Sequence, residues 1–312
     1  MYVITGATGH IGNNLCHYLV EQKESVRILI RQKDHSLDDL DVLTSCSHTF
    51  SEAFLDQAID TNDVIIHVAG YVNLTKKNRL ETYRANVQLT KILIAIAKKK
   101  SCRFVYISSV DVILKPKKGI VSEPHTFDQC PHKSYYQTSK WLATKYVYDA
   151  IENGLNGIIL YPSAVIGPRD IKPSRIGLEL IKMMKKRVLF SIRGGYNFID
   201  VRDVVKGIYV ASKFDTKEHM ILSGIHLSVT DLYRMVSDIT HAKKIIIKVP
   251  LFIAKIYSII HPKYSKLMID SLLENDNYDD SKRKVHLFDE LTPFDKTLSD
   301  TLSDLNILST YQ

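Results

Sequence analysis

The chain has 312 residues, 45% of them hydrophobic and 24% charged, with 42 basic and 34 acidic side chains and a net charge of +8. Such a length and balance belong to a globular protein with a large core in one or two domains, and exclude a disordered or fibrous chain. The positive charge suits an anionic ligand. The lysines are scattered, however, and the short clusters at 98–100 and 185–187 have no interleaved aromatics, so no nucleic-acid partner is expected.

The apolar run Tyr2, Val3, Ile4, Thr5 predicts a strand, and it meets Gly6, Gly9 and Gly12 at three-residue spacing. Ile11, Leu15, Tyr18 and Leu19 then share a helical face, with Asn13 and Asn14 off it. A strand, a glycine turn and a helix start form a phosphate cradle, because backbone N–H groups and the positive helix end converge there. A plain turn is the structural alternative, and G-x-x-G-x-x-G differs from the usual dinucleotide fingerprint. The glycine turn at residue 6 leads us to expect no signal peptide before the fold.

A second strand is expected over residues 26–30, ending at Arg31. A third is hard to see, since residues 45–50 are short and polar. Residues 64–68 form a clear strand closed by Ala69 and Gly70. A long helical pattern follows over 80–99, a strand over 104–107 ending in Ser108 and Ser109, and a loop over 115–133. Residues 136–151 read as a helix and 157–161 as a strand that Pro162 ends. Helices dominate the last 90 residues. Continuously apolar strands alternating with helices predict an α/β fold with a doubly wound parallel sheet, Rossmann-like, and a smaller, mostly helical C-terminal substrate-binding region. We expect a dinucleotide-binding domain over 1–168, with 195–225 returning to it, and a substrate region over 169–194 and 226–312.

No run of 18 apolar residues occurs, so no spanning segment is expected. The stretch 249–260, interrupted by Lys255, reads as a buried or lid helix in preference to a membrane-surface one. Cys16, Cys46, Cys102 and Cys130 lack any metal or redox spacing, which points to reduced thiols, a cytoplasmic location and no metal.

Tyr136 and Lys140 stand four apart on the predicted helix and share a face. A nearby ammonium would lower the phenol pKa from about 10. Tyr135 has Ser139 four residues on and no such cation. An amphipathic helix is the ordinary alternative. Ser109, at a predicted strand end, could hold a substrate oxygen beside the phenol, or could cap a turn. An NAD site in this architecture places a carboxylate about 20 residues past the glycines. Here Arg31 stands there, with Lys33 nearby and no carboxylate before Asp34, which predicts NADPH over NADH.

The stretches TGATGHIG (5–12), DVIIHVAG (63–70), YRANVQLT (83–90), FVYISSVDV (104–112), YYQTSK (135–140), LYPSAVIGPRD (160–170) and NFIDVRDVVKG (197–207) resemble an extended short-chain dehydrogenase/reductase of the NAD-dependent epimerase/dehydratase family. VRILIR and YPSAVIGPRD look most like the dihydroflavonol-reductase-like and 3β-hydroxysteroid-dehydrogenase-like branches. The resemblance implies that Ser109, Tyr136 and Lys140 form a catalytic triad supported by Asn86. It implies that Gly6, Ala7, Thr8, Gly9, His10, Ile11 and Gly12 wrap the pyrophosphate and that Val68, Ala69 and Gly70 pass the ribose. It also implies that Tyr161, Pro162, Ser163 and Val165 flank the nicotinamide, and that Asp203 caps a helix and braces the sheet. Two family features are missing: the Gly-Asp-Leu-x-Asp stretch, replaced by HTFSEAFLDQ (48–57), and the Asp-Glu pair of many dehydratases beside Ser109. The expected activity is NADP-dependent, or NAD-dependent, reduction of a ketone or aldehyde, or the reverse oxidation of an alcohol. A nucleotide-sugar epimerase with bound NAD is the alternative; a non-catalytic NADP-sensing regulator would usually lack the Tyr and Lys. Relatives often dimerise through the helices holding Asn86 and Tyr136, so a homodimer is possible here.

Overall fold

Seven strands pair in one wholly parallel sheet, in the order β10-β6-β5-β4-β1-β2-β3. The computed structural model describes residues 1–72, 78–131, 134–214, 218–260 and 266–310. The first six strands are β1 (Tyr2–Thr5), β2 (Val26–Ile30), β3 (Leu43–Cys46), β4 (Val64–His67), β5 (Arg103–Ile107) and β6 (Gly157–Pro162). Between them run α1 (His10–Glu21), α2 (Glu52–Ala58), α3 (Arg79–Tyr83), α4 (Leu89–Lys99) and α5 (Tyr135–Glu152). A π-helical turn, Arg84–Gln88, joins α3 to α4. Strand order reverses direction between β1 and β4, the switch point at which doubly wound sheets open a crevice.

The rest of the chain alternates between two places. β7 (Ala164–Ile166), α6 (Arg175–Lys185), β8 (Val188–Ser191), β9 (Gly195–Asp200), α7 (Val201–Lys213) and β10 (His219–Leu222) come first. Then come β11 (Ile225–Ser228), α8 (Val229–Ile239), β12 (Ile245–Lys248), α9 (Leu251–Ile260), α10 (Lys266–Leu272), α11 (Ser281–His286) and α12 (Phe294–Thr310). β10 joins the main sheet beside β6, and α7 packs on α1. β11, β9 and β7 form a second sheet, while β12 and β8 pair as a two-stranded ribbon.

Side chains alternate through the main sheet into two cores. Val3, Ile65, Phe104 and Tyr106 face α4 and α5; Ile4, Ile66, Val105 and Leu160 face α1 and α7. Both faces are covered, which is why these strands are apolar throughout. A third cluster, with Leu180, Val236 and Leu302, holds α6, α8 and α12 together.

Several expectations are corrected. Asn13 and Asn14 are buried: Asn13 donates to the Ser36 carbonyl at 3.0 Å and Asn14 to the Pro168 carbonyl at 2.9 Å. The elusive third strand exists as β3, at the sheet edge, where its mostly exposed residues have no need to be apolar. The long helix is interrupted by the π turn. Asp200, not Asp203, caps α7, while Asp203 accepts two hydrogen bonds from Thr292 and so ties the C-terminal segment to that helix. The stretch 249–260 is not buried: α9 exposes Phe252, Ile253, Ile256, Tyr257 and Ile259. No helix among the described residues is long and apolar enough to cross a membrane. The last two residues of the 115–133 loop lie outside the described residues.

Candidate active site

The three glycines sit at the C-terminal end of β1, each under a different constraint. Gly6 has φ +80°, and a Cβ on it would lie 2.6 Å from the Ala69 nitrogen. A Cβ on Gly12 would lie 2.1 Å from the Gly6 carbonyl oxygen. Both are therefore required by the backbone packing of β1, α1 and the strand end at β4. Gly9 is exposed, and a Cβ there would meet only the Gly6 oxygen, at 3.4 Å. The fold leaves room for a side chain at Gly9, so backbone packing does not require a glycine there. Gly9 also starts α1, with no side-chain cap and no acidic residue in the first turn. The free N–H groups and the positive helix end are left for an anion.

Of the other expected cradle residues, Ala7 is buried and Thr8 and Ile11 are partly so. His10 turns away: its Nε2 is 3.1 Å from the Pro168 carbonyl, joining the glycine turn to the loop after β7. Across the crevice Val68 and Ala69 are half-buried and Gly70 is exposed.

Asn86 lies in the π turn, 2% exposed. Its Oδ1 accepts from the Tyr71 N–H at 2.7 Å, and its Nδ2 donates to the Tyr71 carbonyl at 3.2 Å and to Ser139 Oγ at 2.9 Å. One side chain thus fixes the loop beyond Gly70 to α5. Behind it, Thr90 Oγ1 donates to the Asn86 carbonyl, His67 Nε2 lies 2.9 Å from Thr90 Oγ1, and His67 Nδ1 lies 2.7 Å from Thr5 Oγ1. Burial, reinforced by the Lys140 charge, pushes the His67 pKa down to about 3, so it stays neutral. This chain of buried polar groups runs from β1 through β4 to α5. Sequence periodicity could not reveal it, because Thr5, His67 and Thr90 sit at positions where apolar residues are the rule; a run of buried polar side chains was the only signal.

Ser109 ends β5 and caps a short turn, Val110–Val112, with its Oγ accepting from the Asp111 N–H at 3.1 Å. That turn packs against α5, which carries Tyr136 and Lys140. Lys140 is 4% exposed; its Nζ donates to the Ile107 carbonyl at 2.7 Å and sits 4.5 Å from the Tyr106 ring centre. A Cβ on Gly70 would be 3.7 Å from Nζ and 3.9 Å from Asn86 Oδ1. Burial pushes the Lys140 pKa down to about 7. Burial raises the Tyr136 phenol pKa, and the nearby Asp111 carboxylate raises it further. The expected lowering of Tyr136 by Lys140 is not found, because desolvation dominates at both groups. Asp111 was missed as a neighbour of Tyr136, since only the turn brings it there. Tyr135 sits under the Arg79 guanidinium at the helix surface.

At the end of β6 the Tyr161 ring is wholly buried against His219. The expectation that its side chain flanks a ligand is corrected: strand alternation points it into the core. Ser163 follows, 8% exposed, with a buried Oγ that has no hydrogen-bond partner, and Val165 is half-buried on β7.

At the end of β2, Arg31 and Lys33 are exposed. Asp34 is committed elsewhere: burial disfavours its charge, but the Lys172 ammonium and the Ser36 N–H outweigh that and hold its pKa at about 2. Beside this loop Asn13 Oδ1 is buried without a partner among the described residues. A dinucleotide fits these features: an uncapped, acid-free helix start at Gly9, buried polar atoms at Asn13 and Ser163 unpaired among the described residues, and exposed cations at Arg31 and Lys33 beyond β2.

A model of the NAD dependent epimerase/dehydratase family matches residues 2–222. A Synechocystis sp. protein provisionally named dihydroflavonol 4-reductase is 32% identical over 67% of this chain and 62% of its own length. The chain therefore matches less than two thirds of that relative. Sterol demethylase protein B of Methylococcus capsulatus is 26% identical over 76% of this chain and 74% of its own. Among solved structures, gox2253 superposes with a TM-score of 0.85 at 24% identity, covering 98% of each chain.

Three outcomes follow from this geometry. Gly12→Ala should destabilise the fold by about 2 kcal/mol or more, through a clash of backbone with side chain. Gly9→Val should fold normally yet lose dinucleotide binding; urea unfolding and calorimetry separate the two. Lys140 binds fewer protons folded than unfolded between pH about 7 and its ordinary 10.5, so it makes stability rise with pH in that window. Lys140→Met should remove a slope of up to about 1.4 kcal/mol per pH unit there, read from urea midpoints.

Proposed function

We propose that this chain, which belongs to the NAD dependent epimerase/dehydratase family, is an NADPH-dependent reductase of a ketone or aldehyde. The bound cofactor would supply the hydride. Gly9 and the start of α1 would hold its pyrophosphate, Gly70 and Lys140 the nicotinamide ribose, and Ser163 the nicotinamide side.

The observation that carries the reading is the placement of Tyr136 and Lys140 one turn apart on α5, against which the turn capped by Ser109 packs. A protonated phenol there would give its proton to a carbonyl oxygen as that oxygen gains negative charge. Ser109 Oγ already accepts from the Asp111 N–H, so its own hydrogen is free to donate to the same oxygen. Lys140 sits one helical turn beyond Tyr136, where its Nζ would bond ribose hydroxyls. Asn86 acts by position: it fixes the Gly70–Tyr71 loop relative to α5. One relative carries the name of a reductase, which agrees with this reading.

Cofactor choice rests on Arg31. A guanidinium pairs well with a 2′-phosphate, whereas the first carboxylate past β2, Asp34, is engaged by Lys172 and Ser36.

Steady-state kinetics on a panel of ketones and aldehydes tests the proposal. NADPH should be preferred over NADH by about 10- to 100-fold in kcat/KM, less at high salt. Arg31→Asp should reverse that preference, and Tyr136→Phe should cut kcat by roughly 10²-fold or more with cofactor affinity unchanged. Tightly retained NAD in the purified protein, with binding of a nucleoside-diphosphate sugar and no carbonyl reduction, would assign an epimerase instead.

A further inference from the structure

The β8–β12 ribbon and α9 turn their apolar side chains outward. Parallel pairing sets Ile245 against Val188 and Ile247 against Phe190. These four are exposed, at 50%, 37%, 43% and 63%, while Leu189 between them is buried. Val249 and Pro250 lead straight into α9. At 100° per residue, Phe252, Ile253, Ile256, Tyr257 and Ile259 fall within an arc of about 160°. All five are exposed, Ile259 at 82%, and the half-buried Leu251, Ala254 and Ser258 lie on the opposite side. Solvent-facing helices carry polar residues on that arc, so this one is inverted.

The segments that form this face carry charge of one sign. Residues 180–199 and 239–260, which build the ribbon and the helix, contain no Asp or Glu. Lys185, Lys186 and Arg187 precede β8, and Lys243, Lys248 and Lys255 flank β12 and α9; all six are exposed. Asp231, whose carboxylate feels Lys248, is taken by Ser228 and Arg234.

We propose that this face docks on the surface of an anionic lipid bilayer, with the apolar arc of α9 and the outer ribbon residues at the acyl boundary and the lysines among the headgroups. An apolar centre within a cationic rim is the pattern of an interfacial helix. A second copy fits the surface less well, because a two-fold contact would set lysine rim against lysine rim. The inference is independent of the reaction assigned to the crevice.

Flotation of the full chain with vesicles decides it. The protein should float with vesicles of phosphatidylcholine carrying phosphatidylglycerol at least about tenfold better than with phosphatidylcholine alone, and less as salt rises. Two variants, Phe252→Asp with Ile256→Asp and Lys248→Glu with Lys255→Glu, should each lose flotation while keeping the native thermal midpoint and dinucleotide affinity. The second pair is solvent-exposed, so a folding defect in the first would not obscure the result. No flotation of the unmodified chain with anionic vesicles, or flotation unchanged in the lysine pair, overturns the proposal. A dimer abolished by the apolar pair, without flotation, would assign the face to a second copy.

Discussion

Everything in the crevice depends on the two ends of Asn86. Its amide holds both backbone groups of Tyr71 and the hydroxyl of Ser139, and so it sets the distance between the loop after β4 and the helix that carries Tyr136 and Lys140. A buried amide is worth this only if its donors and acceptor are satisfied, since each unpaired group would cost about 1–3 kcal/mol. Tyr71 and Ser139 meet that need, while the Thr90 hydroxyl donates to the Asn86 backbone carbonyl and the neutral His67 ring relays the contact to Thr5 on the first strand. The glycine turn at one end of the crevice and α5 at the other therefore belong to one hydrogen-bonded unit.

Within that unit the two titratable groups of α5 are shifted toward neutrality by the same cause. Lys140 is held between the Ile107 carbonyl and the face of Tyr106, with no carboxylate to compensate its charge, and Tyr136 has Asp111 nearby. The cost of burying an uncompensated ammonium is carried by the packing around it, as is common where stability is exchanged for chemistry. The glycines divide as well: backbone packing requires Gly6 and Gly12 and does not require Gly9.

The C-terminal part is attached through carboxylates rather than through apolar surface alone. Asp200 caps α7, pairs with Arg202 and accepts from Thr297 on α12, while Asp203 holds Thr292. The ribbon and α9 have no acidic residue, and this division leaves one cationic, apolar face outward.

The sequence by itself determined the doubly wound sheet, because a strand buried on both faces must be continuously apolar and a helix beside it must repeat near 3.6; β1, β2, β4, β5 and β6 were all legible for that reason. It also determined the glycine turn, the Tyr136–Lys140 spacing and the cation at the end of β2, since each is a local pattern. Only the tertiary structure decided the rest. β3 is an edge strand with little to bury, and β7 through β12 are mostly three or four residues long and pair with distant partners, so neither leaves a periodic trace. Asn13, Asn14, His67 and Thr90 look like surface residues in a linear reading and are buried because partners far along the chain satisfy them. The same holds for 249–260, where apolar composition implied burial. Whether an apolar helix is covered depends on what packs on it, and here only the side of α9 with Leu251, Ala254 and Ser258 is half-buried.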